Sequence, residues 1–427
     1  MAQSAPHPLI AKIQAWAASH PMLVLALLRT FKPVLLKDKF ALVTRYDDVQ
    51  DLMTRDDFFN VTYQARMEEV TGGQNFFLGM QDTPQYTRDA SLMRLAMRRE
   101  DVPIRVAEFA EREAERIMQA APGKIDVIAE LTKVVPTLWV GDYFGTPGRD
   151  RGQMTEAASL MFAYLFFPPD AAADKIALQA ARTTCEYLDQ TIAARKAERT
   201  GRKARMQAGG ARDGAAEGGS AASTRDDVLE RLLQMQDSGM PGTDDLAIRN
   251  NIIGMLIGAI PTTSKCAVLC LDYLLSHPAL LGGAQAAARA DDDKLVHQYV
   301  LESIRFNSFG PGLFRLCVQD FVVGAGSWRA TKIPAGTTVL VSLQSAMLDG
   351  RKIRNPGEFH LDRPSDNYMH WGYGMHTCSG QYVNAVQIAK IVKAVLKRKN
   401  LRRAAGAAGQ VQNEGVFPAH WTLEFDR

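Results

Sequence analysis

The sequence predicts a mainly α-helical chain carrying small β-sheets, an α+β arrangement. Three observations predict it. Apolar residues recur at helical spacing through the middle of the chain, over residues 106–120, 127–138 and 180–195. One apolar run over residues 246–275 is long enough for a rod of about 45 Å. Strand-like runs are short and lie near residue 40 and in the last third. The 427 residues, 46% hydrophobic and 23% charged, have a globular composition with a large core. That length is usual for two or three domains, but the motifs below span most of it. A helical leader at 1–35 followed by a single domain at 36–427 is therefore expected.

The balance of 50 basic and 47 acidic residues leaves a net charge of +3, which implies no global field for nucleic acid or an anionic membrane. Five cysteines, at 185, 266, 270, 317 and 378, form no CxxC pair, and an odd count so spaced fits a reducing, cytoplasmic setting. The apolar run at 21–28 is shorter than the roughly 20 residues that cross a bilayer. It reads as a short packed helix, with contact to a membrane or partner as the alternative.

Along the chain, residues 40–43 read as a strand and 47–53 as a helix, with Tyr46 and Asp47 at the turn between them. Residues 196–224, rich in Gly, Ala, Ser and Arg without apolar period, are expected to form a mobile surface insertion. Ser223 and Asp226 are spaced as a capping box before a helix at 228–235, and Thr243 can cap the long helix. Arg249, Asn250, Asn251, Lys265 and Asp272 deny that helix transmembrane character. Pro261 removes a backbone donor inside it and should open the ladder between Gly258 and Thr262. A kink admitting a small ligand, a packing kink and two separate helices all satisfy that pattern. Strands are expected at 320–324, 328–331 and 337–343, the last after a turn at 333–336.

The most informative segment is Trp371-Gly372-Tyr373-Gly374-Met375-His376-Thr377-Cys378-Ser379-Gly380, followed by a helical run at 381–397. Its glycines let the backbone turn tightly and approach a flat ligand. Cys378, just ahead of a helix, sits where free N–H groups and the positive dipole end stabilise a thiolate. Such a sulfur bound to haem iron would donate electron density to the opposite coordination position, and His376 lies near enough in sequence to reach a haem carboxylate. A lone Cys is more often a small buried hydrophobe; the combined spacing argues otherwise. Zinc competes weakly, because Cys266 and Cys270 sit four apart in an apolar run and read as core.

This segment resembles the haem-binding loop of the cytochrome P-450 family: aromatic, two residues, Gly, one, His or Arg, one, Cys, one, Gly. Trp371 stands where Phe is usual. Glu302-Ser303-Ile304-Arg305 resembles the family's ExxR helix, and Arg363 matches the third member of its buried ion network. Arg315, in the run from Arg315 to Asp320, matches an arginine that contacts a haem propionate. Gly258-Ala259-Ile260-Pro261-Thr262-Thr263 matches the distal motif, with Thr262 kept and the acid before it replaced by Pro261. The resemblance runs from about Phe40 to the C-terminus. It implies the family's triangular helical domain, with a long central distal helix and the Cys loop ahead of a proximal-side helix. It also implies haem b (iron protoporphyrin IX), with Cys378 on the metal. Tyr86, Arg315, Trp371, Gly372, His376 and Gly380 would lie about the cofactor, and Ala259, Pro261 and Thr262 on the catalytic side.

Two departures qualify the resemblance. Pro261 puts ordinary proton delivery to reduced oxygen in question, so that water or an already reduced peroxide would have to substitute. The propionate-binding helix around residues 80–90 carries Tyr86 and Ala90 where His and Arg are common; Arg94 restores a cation if the helix turns that way, and is otherwise simply exposed. The resemblance places Phe76-Phe77-Leu78, residues 161–167 and Phe417 over the distal side, an apolar wall suited to a lipophilic substrate, although such aromatics also fill cores. The expected activity is a monooxygenase inserting one atom of O2 into a lipophilic small molecule. Its electrons would come from a ferredoxin and ferredoxin reductase, with Arg88, Arg94, Arg98 and Arg99 as a docking face or merely a solvated one. The alternatives are a peroxide-driven peroxygenase or lipid hydroperoxide isomerase, and a haem-based binder or sensor.

Overall fold

The computed structural model describes residues 20–148, 150–209 and 225–426. The chain divides into two units, one built from the chain up to Thr62 together with Ser308–Cys378, the other from Tyr63–Asn307 and the chain from Ser379 onward.

The first unit is organised on a five-stranded sheet in the order Val34–Lys37, Phe40–Val43, Thr338–Val341, Leu313–Cys317, Phe59–Val61. The expected strand at 40–43 is one of these, antiparallel to Val34–Lys37 and parallel to Thr338–Val341. Alternation puts Ala41, Val43, Val339, Val341 and Cys317 in the core. Against that face the helix Tyr46–Met53 packs Tyr46, Val49, Leu52 and Met53. Asp349 Oδ2 accepts the Tyr46 N–H at 3.1 Å, and Asp47 and Asp48 face the positive dipole end, which fixes the start of that helix. The strand expected at 328–331 is instead a turn, with Trp328 85% exposed and pairing delayed to Thr331–Ile333. Positive φ at Gly324 and Gly326 and the bond from Ser327 Oγ to Gly324 O hold the chain in that turn. The helix Pro21–Phe31 buries Leu25 and is tied by Arg29 Nη1 to Ser345 Oγ at 2.8 Å.

The second unit is mostly helical, with small sheets of Lys124–Asp126, Thr422–Glu424 and Arg402–Arg403 and of Gln412–Glu414 with Phe417–His420. The helices expected at 106–120 and 127–138 are present, but each opens in π-helical turns, Val102–Glu108 and Ile128–Thr132. The insertion expected at 196–224 is corrected over its first part, because the helix Ala171–Gly209 runs through it. Ala, Lys and Arg are strong helix formers, and Arg195 and Arg199 meet Asp227 and Glu230. Residues 210–224 lie outside the described residues, as does Ser223 of the expected capping box. Asp227 caps Val228–Asp237 by accepting the Glu230 N–H at 2.8 Å. Likewise Asp244, not Thr243, caps the long helix Asp245–Leu275, accepting from Ala247 N, while the Thr243 hydroxyl donates to Met240 O. That 31-residue helix is apolar enough to cross a bilayer by composition, yet 67% of its most apolar window is buried inside the fold, as befits a core helix.

The helix Gln381–Leu396 is fastened by two buried lysines. Lys390 Nζ and Lys393 Nζ each reach both Glu111 and Asp293, at 2.6–2.8 Å. Burial works against ionisation of Glu111 and Asp293, but the lysine hydrogen bonds outweigh it and hold both carboxyls below their ordinary range. Burial alone would lower the Lys393 ammonium; Asp293, Glu111 and Asp291 raise it instead. The carboxylates contribute stability above their ordinary pKa, lost as pH falls through the depressed values. Lys393 contributes fully below its ordinary value and loses this as pH rises through the raised one. Wild-type thermal stability is therefore expected to hold from about pH 5 to about pH 10 as far as this network governs it. Lys393→Met should cost about 1–2 kcal/mol at pH 7, since both acids are partly exposed, and should blunt the loss on acidification. Melting curves of both proteins across pH check this; an equal acid slope would refute it.

Candidate active site

In the first unit, residues 369–378 form a loop closed by backbone bonds. Cys378 N donates to Trp371 O at 2.8 Å, Gly372 N to Met369 O, and Thr377 N and Oγ1 both to Gly374 O. Gly374 has φ +75°, and a Cβ there would stand 2.1 Å from Met53 O, so the loop can rest on the end of Tyr46–Met53 only with glycine in this place. Gly372 needs glycine for its φ of +83° alone, since its nearest neighbour would lie 3.6 Å away. Trp371 and Cys378, which forms no disulfide, are half-buried. Two residues beyond Cys378, Gly380 is the N-cap of Gln381–Leu396 and supplies no side-chain cap. The His376 ring is buried, with Nδ1 3.1 Å from Asp56 Oδ1, so its orientation is set by a residue that no motif announces. Arg315 is buried on Leu313–Cys317, Nη1 donating to Phe314 O at 2.9 Å. Arg363 grips the carbonyl oxygens of Arg354, Asn355 and Glu358.

In the second unit, Pro261 lies inside one continuous helix, which excludes the two-helix alternative. The proline cannot donate to Ile257 O. On the next two positions the hydroxyls fold back, Thr262 Oγ1 donating to Gly258 O and Thr263 Oγ1 to Ala259 O at 2.7 Å. Thr263 Oγ1 also lies 2.9 Å from the Asn384 side-chain amide, and Ser264 Oγ meets Thr132 Oγ1 at 2.9 Å. The helix is thus pinned beside Thr262 by two neighbours. Sequence reading missed Asn384, Thr132 and Ser264, whose only signal was polarity within apolar helical stripes. Phe76 lies so close to Gly254 that a Cβ there would meet its ring at 2.3 Å, which seats this aromatic on the helix.

Glu302 and Arg305 form a bidentate pair, Nε to Oε1 at 2.7 Å and Nη2 to Oε2 at 2.8 Å, both side chains fully buried. Tyr86 is buried in the first turn of Pro84–Ala96, with its N–H bound to Thr83 Oγ1 and its ring 6.2 Å from Phe77. Arg88 and Arg94 are exposed on that helix, and Arg98 and Arg99 are exposed just beyond its end; Arg88 pairs with Asp89, and Arg99 lies 3.9 Å over the Tyr382 ring.

The donor set fits an iron porphyrin. Among the described residues no group of three or more His, Cys, Asp or Glu side chains is placed to hold a metal ion. A single reduced, half-buried thiol ahead of a helix suits an iron whose other ligands a macrocycle supplies. The chain belongs to the cytochrome P450 family, whose profile matches residues 29–406, and is a haem-thiolate oxidoreductase. It is 25% identical over 390 residues to Psi-producing oxygenase A of Emericella nidulans, covering 84% of this chain and 35% of that protein. Linoleate diol synthase of Gaeumannomyces graminis is 27% identical over 222 residues, 45% of this chain and 18% of its own length. The chain thus spans about a third or less of these curated relatives. A solved structure of P450BioI in complex with hexadec-9Z-enoic acid ligated acyl carrier protein superposes with a TM-score of 0.75 at 18% identity, covering 96% of this chain and all of that one.

Proposed function

We propose that this enzyme is a cytoplasmic monooxygenase that inserts one atom of O2 into a lipophilic, fatty-acid-like molecule, with electrons from a ferredoxin and its reductase. The observation that carries the reading is the closed glycine loop presenting Cys378 as a half-buried cysteine in no disulfide. Haem b held by that sulfur supplies an electron-rich iron suited to O–O cleavage. His376, oriented by Asp56, together with Arg315 and Tyr86, would hold the haem carboxylates, while Trp371, Gly372 and Gly380 shape the loop around the sulfur. Seated aromatics, Phe76 on Gly254 and Phe162 beside Phe417, support an apolar substrate, and the name of one relative, linoleate diol synthase, points to a lipid. Five cysteines that form no disulfide suit a reducing compartment.

Thr262 keeps its own proton on Gly258 O, so Oγ1 offers lone pairs to a water or a reacting oxygen. With Pro261 in place of the acid, that water would be the proton source. Under electron-driven turnover, Thr262→Ala should cut product per NAD(P)H consumed by about a hundredfold, the lower end of the range for lost proton transfer. Product and cofactor consumption measured together check this; unchanged coupling would reduce Thr262 to packing.

A second reading, a peroxygenase or lipid hydroperoxide isomerase, is favoured by Pro261 itself and by the linoleate-named relative. Turnover with ferredoxin and reductase, set against turnover with hydrogen peroxide or a lipid hydroperoxide alone, separates the two.

A further inference from the structure

Towards its end the helix Ala171–Gly209 carries Arg195, Arg199, Arg202 and Arg205, spaced four, three and three apart and so gathered on one face. The acids that meet this stripe come from the next helix, Val228–Asp237, and its cap. Arg195 Nη1 reaches both carboxylate oxygens of Asp227 at 2.9 Å. Arg199 grips Glu230 through one nitrogen and Asp237 Oδ2 through the other, at 2.7 Å. Lys203 takes a second share of Asp237 at 2.8 Å. For Arg202 there remains only the same Glu230 Oε1, at 3.4 Å, with 30% of its side chain exposed. Among the described residues Arg205 meets no acceptor, and Arg225 pairs loosely with Glu198, at 3.7 Å. Between these groups lies a cavity of about 240 Å³ lined by charged side chains alone, five arginines against two glutamates.

We propose that this cavity binds a phosphate monoester, held by Arg202, Arg205 and Arg225. The inference is independent of the proposed oxidation and concerns a second ligand. Each guanidinium carries five N–H donors in a planar fork that matches a pair of phosphate oxygens. Arg202 spends one of them on Glu230. The nearest carboxylates are already committed to Arg195, Arg199 and Lys203, so the unmatched positive charge lies with Arg202 and Arg205. With no apolar side chain in the lining, the ligand is compact and hydrophilic, unlike the lipophilic molecule of the proposed reaction. A phosphate ester brings up to about two negative charges at neutral pH and three acceptor oxygens, one for each arginine. A carboxylate has one charge and two oxygens, and would leave an arginine unserved. Once bound, the ester would fasten the end of Ala171–Gly209 to the chain entering Val228–Asp237.

The test is calorimetry on the holoenzyme with glycerol 3-phosphate and acetate, at about 0.15 M ionic strength, where the loose field of exposed charges is screened. Wild type should bind the ester at a single saturable site, at least tenfold more tightly than acetate. Its affinity should rise from pH 5 to pH 7.5, because the ester loses its second proton near about pH 6 while the arginines stay charged. Arg205→Gln should weaken binding at least tenfold, as befits a lost charge-assisted hydrogen bond. Since Arg205 has no partner among the described residues to strand, its melting temperature should match wild type. Lys196→Gln, on the same helix but paired with Asp245 outside the cavity, should bind the ester as wild type does. Absence of saturable binding, equal affinity for acetate, an unchanged affinity in Arg205→Gln, or an equal loss in Lys196→Gln would each overturn the proposal.

Discussion

Cys378→Ser is expected to abolish the thiolate-type absorption band of the reduced carbon monoxide complex and to lower turnover by at least about a thousandfold, while leaving the fold in place. A serine hydroxyl stays protonated at neutral pH and is a poor electron donor, whereas a thiolate pushes density through the iron to the opposite position. The loop itself hangs on backbone bonds, Cys378 N to Trp371 O and Thr377 N to Gly374 O, which serine keeps. The melting temperature of the haem-free protein should therefore move little, by the equivalent of less than about 1 kcal/mol. Cys378→His gives a sharper comparison, because imidazole can still bind iron but shifts the band to the position of nitrogen ligation. A variant that binds haem equally well with an unchanged spectrum would remove the assignment of the metal ligand, and with it the functional reading.

The legible parts of this protein were those written in local chemistry. Glycines and a cysteine at fixed spacing announced the loop at 369–378, and the long apolar period announced Asp245–Leu275 with its proline. Caps were legible in kind but not in place. Thr243 and Asp244 can both accept an N–H; the aspartate, extended at the N-cap position, takes that of Ala247, while the Thr243 hydroxyl turns to Met240 O. At residues 196–209 the Gly- and Ser-rich composition further on masked an Ala-, Lys- and Arg-rich segment that is helical and ion-paired with Glu230 and Asp237. The contacts that hold the site elements were illegible, since Asp56 on His376 and Asn384 on Thr263 connect residues hundreds or scores of positions apart. No periodicity encodes such pairs. Only folding brings them together.

Arg305→Leu is expected to destabilise the fold by about 3–5 kcal/mol, the usual cost of stranding one member of a buried ion pair. Alone, an i, i+3 pair on a helix surface contributes only a few tenths of a kcal/mol. Here both Glu302 and Arg305 are fully excluded from solvent, and the two bonds of 2.7 and 2.8 Å are parallel, fork to fork. Removing the guanidinium leaves the Glu302 carboxylate without that fork, in a place where water cannot replace it. A loss of this size is a large share of the 5–15 kcal/mol that ordinarily separates folded from unfolded chains, so the variant should accumulate poorly and retain little haem. Arg305→Lys keeps the charge but loses the second parallel bond, and should fall between. The decisive comparison is the double variant Glu302→Leu/Arg305→Leu. If the cost arises from the stranded charge, removing the carboxylate as well should recover part of the stability lost in Arg305→Leu, read from urea melts of purified protein. Should the double variant be less stable by the sum of the two single losses, the pair is not coupled, and the stability must come from independent packing of each side chain.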